Sequence, residues 1–262
     1  MGFADLSNLP PIPSLRVQTP ADTHADHIDV IKSAITGHPR SQQKRIGPSE
    51  LGHPCTRRIA YKVAGVEPVN ENPGWRPTVG TAVHAWLAEA FATANHESAA
   101  RYLIELSVEV GNGVTGSVDL YDRATATAND WKVVAPTSLR KYKANGPGDQ
   151  YRTQVHLYAR GLVNRGLPVD TVAITFLPNS GELYDAVFWS EPYDEQVALD
   201  ALERLSTVQA LVDVAGAGAA AVLPVDGANP DWCRYCPFYL PASTDLTTAC
   251  PGAVKHTAKP AA

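Results

Sequence analysis

Two short stretches, Gly116-Ser117-Val118-Asp119-Leu120 and Asp130-Trp131-Lys132-Val133-Val134, decide how this chain is read. Val114 to Tyr121 follows Tyr102 to Val110 across Gly111-Asn112-Gly113, a tight hairpin turn between two strand-like runs. Asn129 to Ala135 forms a third run. Residues two apart on a strand point to the same face, so Asp130 and Lys132 project together. If the second and third strands are neighbours, Asp119 reaches the same spot. Two carboxylates held close repel unless a cation sits between them. Hard oxygen ligands of this kind suit Mg²⁺ or Mn²⁺. A lysine beside such an ion can position an attacking water and stabilise charge on a phosphate. A solvent-facing ion pair on a strand has the same Asp-x-Lys pattern, so the surrounding elements carry the weight.

Before these strands, Thr78 to Asn95 reads as a helix. Val79, Val83, Trp86, Leu87, Ala90, Phe91 and Ala94 recur at spacings of three and four. His84 lies on this helix, four residues after Gly80. After the strands, Gly148 to Asn164 reads as a second helix, on which Gln154 and Tyr158 share a face. Thr171 to Leu177 and Glu182 to Trp189 form another hairpin across Asn179-Ser180-Gly181, and Tyr193 to Val214 is a long helix. Gly216 to Ala221 reads as a small-residue linker. Towards the N-terminus, residues 1–22 are a loose lead-in, and His24 to Ile35 is a short helix. Pro48 to Leu51 is a turn, and Cys55 to Ala64 is a helix placed by Pro54 and Gly65. Strands that meander and then cross over through a helix predict an α/β domain with a mixed sheet flanked by helices.

The chain has 262 residues, 44% hydrophobic and 19% charged, enough for one large domain. The start, Met1-Gly2-Phe3-Ala4-Asp5, has no basic stretch leading into an apolar run, so no secretory signal is expected. No window reads as a membrane span, and a cytoplasmic protein is expected, in the host cytoplasm if the chain is phage-encoded. Thiols there stay reduced, which favours metal ligation over disulfides. The net charge of -5 conceals two basic segments. Arg40, Lys44, Arg45, Arg57, Arg58 and Lys62 stand beside one acid, Glu50. Lys132, Arg140, Lys141, Lys143, Arg152, Arg160 and Arg165 stand beside another, Asp149. Phosphate binding needs local positive potential rather than a positive total. No Gly-rich Lys-Ser/Thr phosphate loop is present, so helicase activity is not expected.

Four short motifs now stand in order: Gly80-x-x-x-His84, Gly116-x-x-Asp119, Asp130-x-Lys132 and Gln154-x-x-x-Tyr158. Together they resemble the RecB-like branch of the PD-(D/E)XK nuclease superfamily, over roughly residues 48 to 251. The resemblance implies an αβββαβ core and a divalent-metal site at His84, Asp119, Asp130 and the Val133 carbonyl, holding Mg²⁺ or Mn²⁺. It makes Asp119, Asp130 and Lys132 catalytic, with Lys132 orienting the water, and puts Gln154 and Tyr158 on the DNA-binding side.

Every cysteine falls into one pattern: Cys55 upstream, then Cys233, Cys236 and Cys250, the first lying 178 residues before the second. Four thiolates can hold a tetrahedral zinc or an iron–sulfur cluster, here clasping the N-terminal helix to the C-terminal tail. The one-plus-three arrangement resembles the iron–sulfur nucleases of the CRISPR-associated exonuclease and AddB type. That likeness implies a [4Fe–4S] cluster, with Arg57 and Arg58 at DNA phosphates. A [2Fe–2S] cluster is open on spacing alone.

The organisation expected is a lead-in at 1–47, a nuclease domain with its cysteine clasp at 48–251, and a tail at 252–262. The function implied is an exonuclease acting on single-stranded DNA ends or flaps. Its setting would be phage or prokaryotic recombination, replication or CRISPR adaptation, with DNA and proteins of those complexes as partners. The alternative is a catalytically silent DNA-end-binding module.

Overall fold

The computed structural model describes residues 19–38, 45–70, 74–95, 100–225 and 233–253. Residues 1–18 of the lead-in, basic residues Arg40 and Lys44, and residues 254–262 of the tail lie outside the described residues. The chain divides into two compact units, 1–42 and 43–262.

The first unit holds α1 (Pro20–Gly37), longer at both ends than the helix expected at 24–35. Its start is set by a reciprocal cap. Asp22 N–H donates to Thr19 Oγ1, Thr19 N–H donates to Asp22 Oδ2, and Pro20 takes the first helical position. None of its residues is buried.

In the second unit, α2 (Pro48–Leu51), α3 (Thr56–Val63) and α4 (Trp75–Asn95) precede a five-stranded sheet. The strands are β1 (Tyr102–Gly111), β2 (Val114–Asp122), β3 (Thr127–Val134), β4 (Thr171–Pro178) and β5 (Val187–Pro192), in that spatial order. Only β3 and β4 run parallel. The β1–β2 turn places Asn112 at φ 53° and Gly113 at φ 71°, the paired left-handed conformation that a two-residue hairpin needs. The parallel crossover runs through α5 (Pro136–Asn145) and α6 (Asp149–Asn164). The sequence did not signal α5, because its residues are polar and only Leu139 is buried. β5 starts at Val187 rather than at Glu182, since Leu183–Asp185 curls into a 3-10 turn closed by Ala186 N–H on the Leu183 carbonyl.

α6 lays Val155, Ala159 and Leu162 into the core, and its Gly161 permits contact with β1. A Cβ at Gly161 would stand 2.6 Å from Val108 Cγ2. α7 (Glu195–Ala215) adds Ala198, Ala201, Leu202, Leu205 and Val208. The residues read as a linker continue helically into α8 (Ala219–Val222), with Ala219 and Ala220 buried. Residues 195–222 are long and apolar enough, by length and composition, to cross a membrane, contrary to the sequence expectation. Here one face of that stretch belongs to the core.

Alternation along β3 sorts the two faces of the sheet. Trp131 meets Phe91 of α4, with ring centroids 5.4 Å apart, while Asp130 and Lys132 meet Gln154 and Tyr151 of α6. α4 therefore packs on the face opposite α6. Only part of the expected apolar stripe is covered: Val79, Val83, Leu87 and Phe91 are half-buried, but Trp86 is 66% exposed, and Ala90 and Ala94 are exposed. The stripe that meets the sheet runs through His84, Phe91 and Asn95, so polar residues with their own partners replace part of an apolar seam.

Candidate active site

β2 and β3 pair only from Leu120↔Asn129 to Asp122↔Thr127. Beyond that rung the ladder stops, and a side chain takes over: Trp131 N–H donates to Asp119 Oδ2 at 2.8 Å. This fixes the Asp119 rotamer and leaves Oδ1 facing α4. There His84 Nδ1 lies 3.3 Å from Asp119 Oδ1, and His84 Nε2 lies 3.1 Å from the Trp131 carbonyl. With the Nε2 proton on that carbonyl, Nδ1 faces a carboxylate oxygen, donating to it in the charged ring and leaving room for a cation between two acceptors in the neutral one. A backbone carbonyl that fixes the tautomer in this way is the usual support for a metal-ligating histidine. Burial works against charge on His84, but the hydrogen bond to Asp119 and the charges of Asp119 and Asp130 outweigh it and lift its pKa. Burial alone would raise the Asp119 pKa, but His84, Lys132 and the Trp131 amide hold it below the ordinary carboxylate value.

Asp130 is 2% exposed. Burial, reinforced by the Asp119 charge, pushes its pKa up to about 6 despite Lys132. Lys132 Nζ sits 2.5 Å from Asp130 Oδ2 and 4.9 Å from the centre of the Tyr151 ring. Gln154 Nε2 donates to Asp130 Oδ1 and to the Tyr158 hydroxyl, both at 3.1 Å. Gln154 Oε1 is buried with no hydrogen-bond partner among the described residues, an acceptor suited to a water or a hydrated cation. His84 and Asp119 offer a nitrogen and a carboxylate oxygen that fit a hard divalent ion, with the buried Asp130 carboxylate and the orphaned Gln154 acceptor on the neighbouring strand and helix. Val133, whose carbonyl was named as a ligand, lies in the β3–β4 ladder opposite Leu177.

The motif residues thus converge, though not all in the roles read for them. Gln154 is 4% exposed and Tyr158 is also buried, so this pair braces Asp130 from behind instead of offering a DNA-facing surface. Gly116 has a packing reason: a Cβ there would lie 2.8 Å from Pro48 and 2.9 Å from the Tyr158 ring. Glu105 of β1, absent from every motif, reaches the site. One ligand atom each from His84, Glu105 and Asp119 lies within 4.8 Å of the other two. Its one sequence signal is an acidic residue at the register position facing Asp119, legible only once the hairpin register is known.

Several of the basic residues are already paired within the protein. Arg152 pairs with Glu191 at 2.5 Å, Arg160 pairs with Glu195, and Lys62 pairs with Glu50 at 3.1 Å. Arg57 donates Nη2 and Nε to the Leu223 carbonyl at 2.9 and 3.2 Å, which ties α3 to the chain after α8 and makes it a clasp residue rather than a phosphate contact. Arg140, Lys141 and Lys143 stay exposed on α5, directly after β3.

The four cysteines, read as one group, line one cavity together with His53 and Arg57. None forms a disulfide. The tail from Cys233 wraps back onto α3: the Tyr61 hydroxyl donates to the Leu246 and Ala249 carbonyls at 2.9 and 3.0 Å, and Val69 N–H donates to the Pro237 carbonyl. Ala253 N–H points at Cys233 Sγ at 3.3 Å and Gly252 N–H at Cys250 Sγ at 3.4 Å, so the first residues of the expected tail belong to the clasp. Arg57 Nη1 lies 3.8 Å from Cys250 Sγ. Burial raises the Cys55 and Cys236 thiol pKa values. Cysteine sulfurs gathered around a cavity and approached by N–H donors fit a thiolate-ligated metal group.

No family model and no curated protein matches the chain. Among solved structures it is similar to an alkaline exonuclease (LHK-Exo) from Laribacter hongkongensis, with a TM-score of 0.38 and 11% identity, covering 63% of this chain and 89% of that one. LHK-Exo in complex with dAMP aligns with the same figures. A phage-related exonuclease from Haemophilus somnus 129PT aligns with a TM-score of 0.41 and 14% identity, covering 69% of this chain and 91% of that one.

Proposed function

We propose that the protein is a divalent-metal-dependent deoxyribonuclease, an exonuclease on single-stranded DNA ends or flaps. The observation that carries the reading is the opposition of His84 Nδ1 and Asp119 Oδ1 at 3.3 Å, with the other atom of each group already held by Trp131. Two acceptors so placed call for a proton or a cation between them. His84, Asp119, Asp130 and the Val133 carbonyl would between them hold one or two Mg²⁺ or Mn²⁺ ions. When bound, the ion supplies Lewis acidity and lowers the pKa of water. Lys132, held between Asp130 and the Tyr151 ring, orients the attacking water and offsets charge gathering on the phosphate. Gln154 keeps the Asp130 carboxylate in its rotamer. Arg140, Lys141 and Lys143 on α5, with Arg58, supply positive potential for the DNA backbone.

We further propose that Cys55, Cys233, Cys236 and Cys250 hold a [4Fe–4S] cluster. The support for this reading is that all four cysteines line one cavity, with backbone N–H groups of Gly252 and Ala253 approaching two of the sulfurs.

Incubating end-labelled single-stranded and duplex DNA with Mg²⁺ or Mn²⁺ tests the nuclease. We expect metal-dependent shortening of single strands, reduced ~10²-fold or more by Asp130→Ala. No cleavage by the natural chain with either metal would overturn the reading in favour of a binding module. Stoichiometric zinc in a colourless anaerobic preparation would overturn the cluster.

A further inference from the structure

Asp130 is not part of the tight group formed around His84 and Asp119; its carboxylate lies against Lys132 and Gln154 instead. The residue that completes the tight cluster is Glu105 of the edge strand β1. The β1–β2 ladder runs through Ile104↔Leu120 and Leu106↔Val118, so Glu105 stands across from Asp119. Like charges on facing rungs destabilise a sheet unless something lies between them. Glu105 is also held at φ 47°, in the left-handed region that non-glycine residues avoid in strands. Ser117, on the same face as Asp119, donates its hydroxyl to Glu105 Oε2 at 2.7 Å. Oε1 is the oxygen that this bond leaves for the cluster, much as outer partners orient ligating carboxylates elsewhere.

We propose that Glu105 is a ligand of the divalent cation, holding it jointly with His84 and Asp119 at a position that excludes Asp130. Asp119 is then shared between this position and the one defined by Asp130 and the Val133 carbonyl. One imidazole nitrogen and two carboxylates suit Mn²⁺ better than Mg²⁺, which prefers oxygen alone. The proposal rests on the nuclease reading and deepens it.

Binding of Mn²⁺ alone to the full chain, followed by calorimetry and by electron paramagnetic resonance of the free ion, tests it without measuring activity. Glu105→Gln keeps the side-chain length and an acceptor for Ser117 but removes the charge. It should weaken one class of Mn²⁺ site by roughly tenfold or more, a class that Asp130→Asn retains. Glu105→Gly suits the left-handed backbone, so in chelator its Tm should match or exceed that of the natural chain, while the rise in Tm on adding Mn²⁺ shrinks. Natural Mn²⁺ stoichiometry and affinity in Glu105→Gln would overturn the proposal and leave the nuclease reading standing. So would a Glu105→Gly chain that loses Tm in chelator yet binds Mn²⁺ normally. Mn²⁺ binding absent from the natural chain, or unaffected by Asp119→Asn, would sink both.

Discussion

Asp119 and Gly116 show how single residues in this protein serve geometry and chemistry together. Asp119 ends a β-ladder by accepting the Trp131 amide, and the same act aims its other oxygen at His84. Gly116, three residues before Asp119, lets β2 approach Pro48 and Tyr158. Adding a methyl there has no flexible neighbour to displace, because a ring and a proline face it. Gly116→Ala should cost about 1–3 kcal/mol in urea unfolding, with a matching fall, through Tyr158 and Gln154, in the DNA cleavage we propose. An unchanged unfolding midpoint would mean that α2 and α6 shift freely. At this scale the sequence singled out Asp119, Asp130, Lys132 and His84, which the fold brings close together, because a charged residue inside an apolar strand or helix has few structural uses. For Gln154 and Tyr158 it gave a shared face but not their burial. Spacing of four shows that two side chains share a face but not whether that face meets DNA or a buried carboxylate.

Elements carried other surprises, each with a local cause. Of the apolar stripe expected on α4, Phe91 meets the sheet but Trp86 is exposed, and the polar His84 and Asn95 fill the rest of the contact. Periodicity detects apolar side chains, and here the face that matters is partly polar. α5 gave no periodic signal at all, having one buried residue, and was left without an assignment. α3 was placed by Pro54 and Gly65, but its partner could not be read locally. Tyr61 of α3 reaches two carbonyls of the tail, and Arg57 reaches a third beyond α8. Removing the hydroxyl with Tyr61→Phe leaves both tail carbonyls without that donor. The expected cost is ~1–3 kcal/mol, read as a lower urea midpoint and faster proteolysis within residues 233–253. A midpoint equal to that of the natural chain would show that the tail is held by other contacts.

For the 43–262 unit as a whole, the cysteine clasp ties segments almost two hundred residues apart in sequence. If the cluster is structural, Cys250→Ser should lower Tm and iron content together, while leaving Mn²⁺ binding at His84 and Asp119 intact in whatever fraction stays folded. Normal Tm with iron lost would make the group dispensable for folding. Much of this plan was open to inspection in the sequence alone. The hairpin around Asn112-Gly113, the helical crossover, the mixed sheet and the four-cysteine set follow from turn chemistry, periodicity and ligand count, all local or compositional. The tertiary structure alone decided the rest. It set the register that brings Glu105 across from Asp119, the splay that gives Trp131 to a side chain, and the internal pairing of Arg57, Arg152 and Arg160. These depend on which strand rungs coincide and on what a long side chain meets across the core. Such contacts join residues from 12 to 166 positions apart, a range over which no local propensity acts.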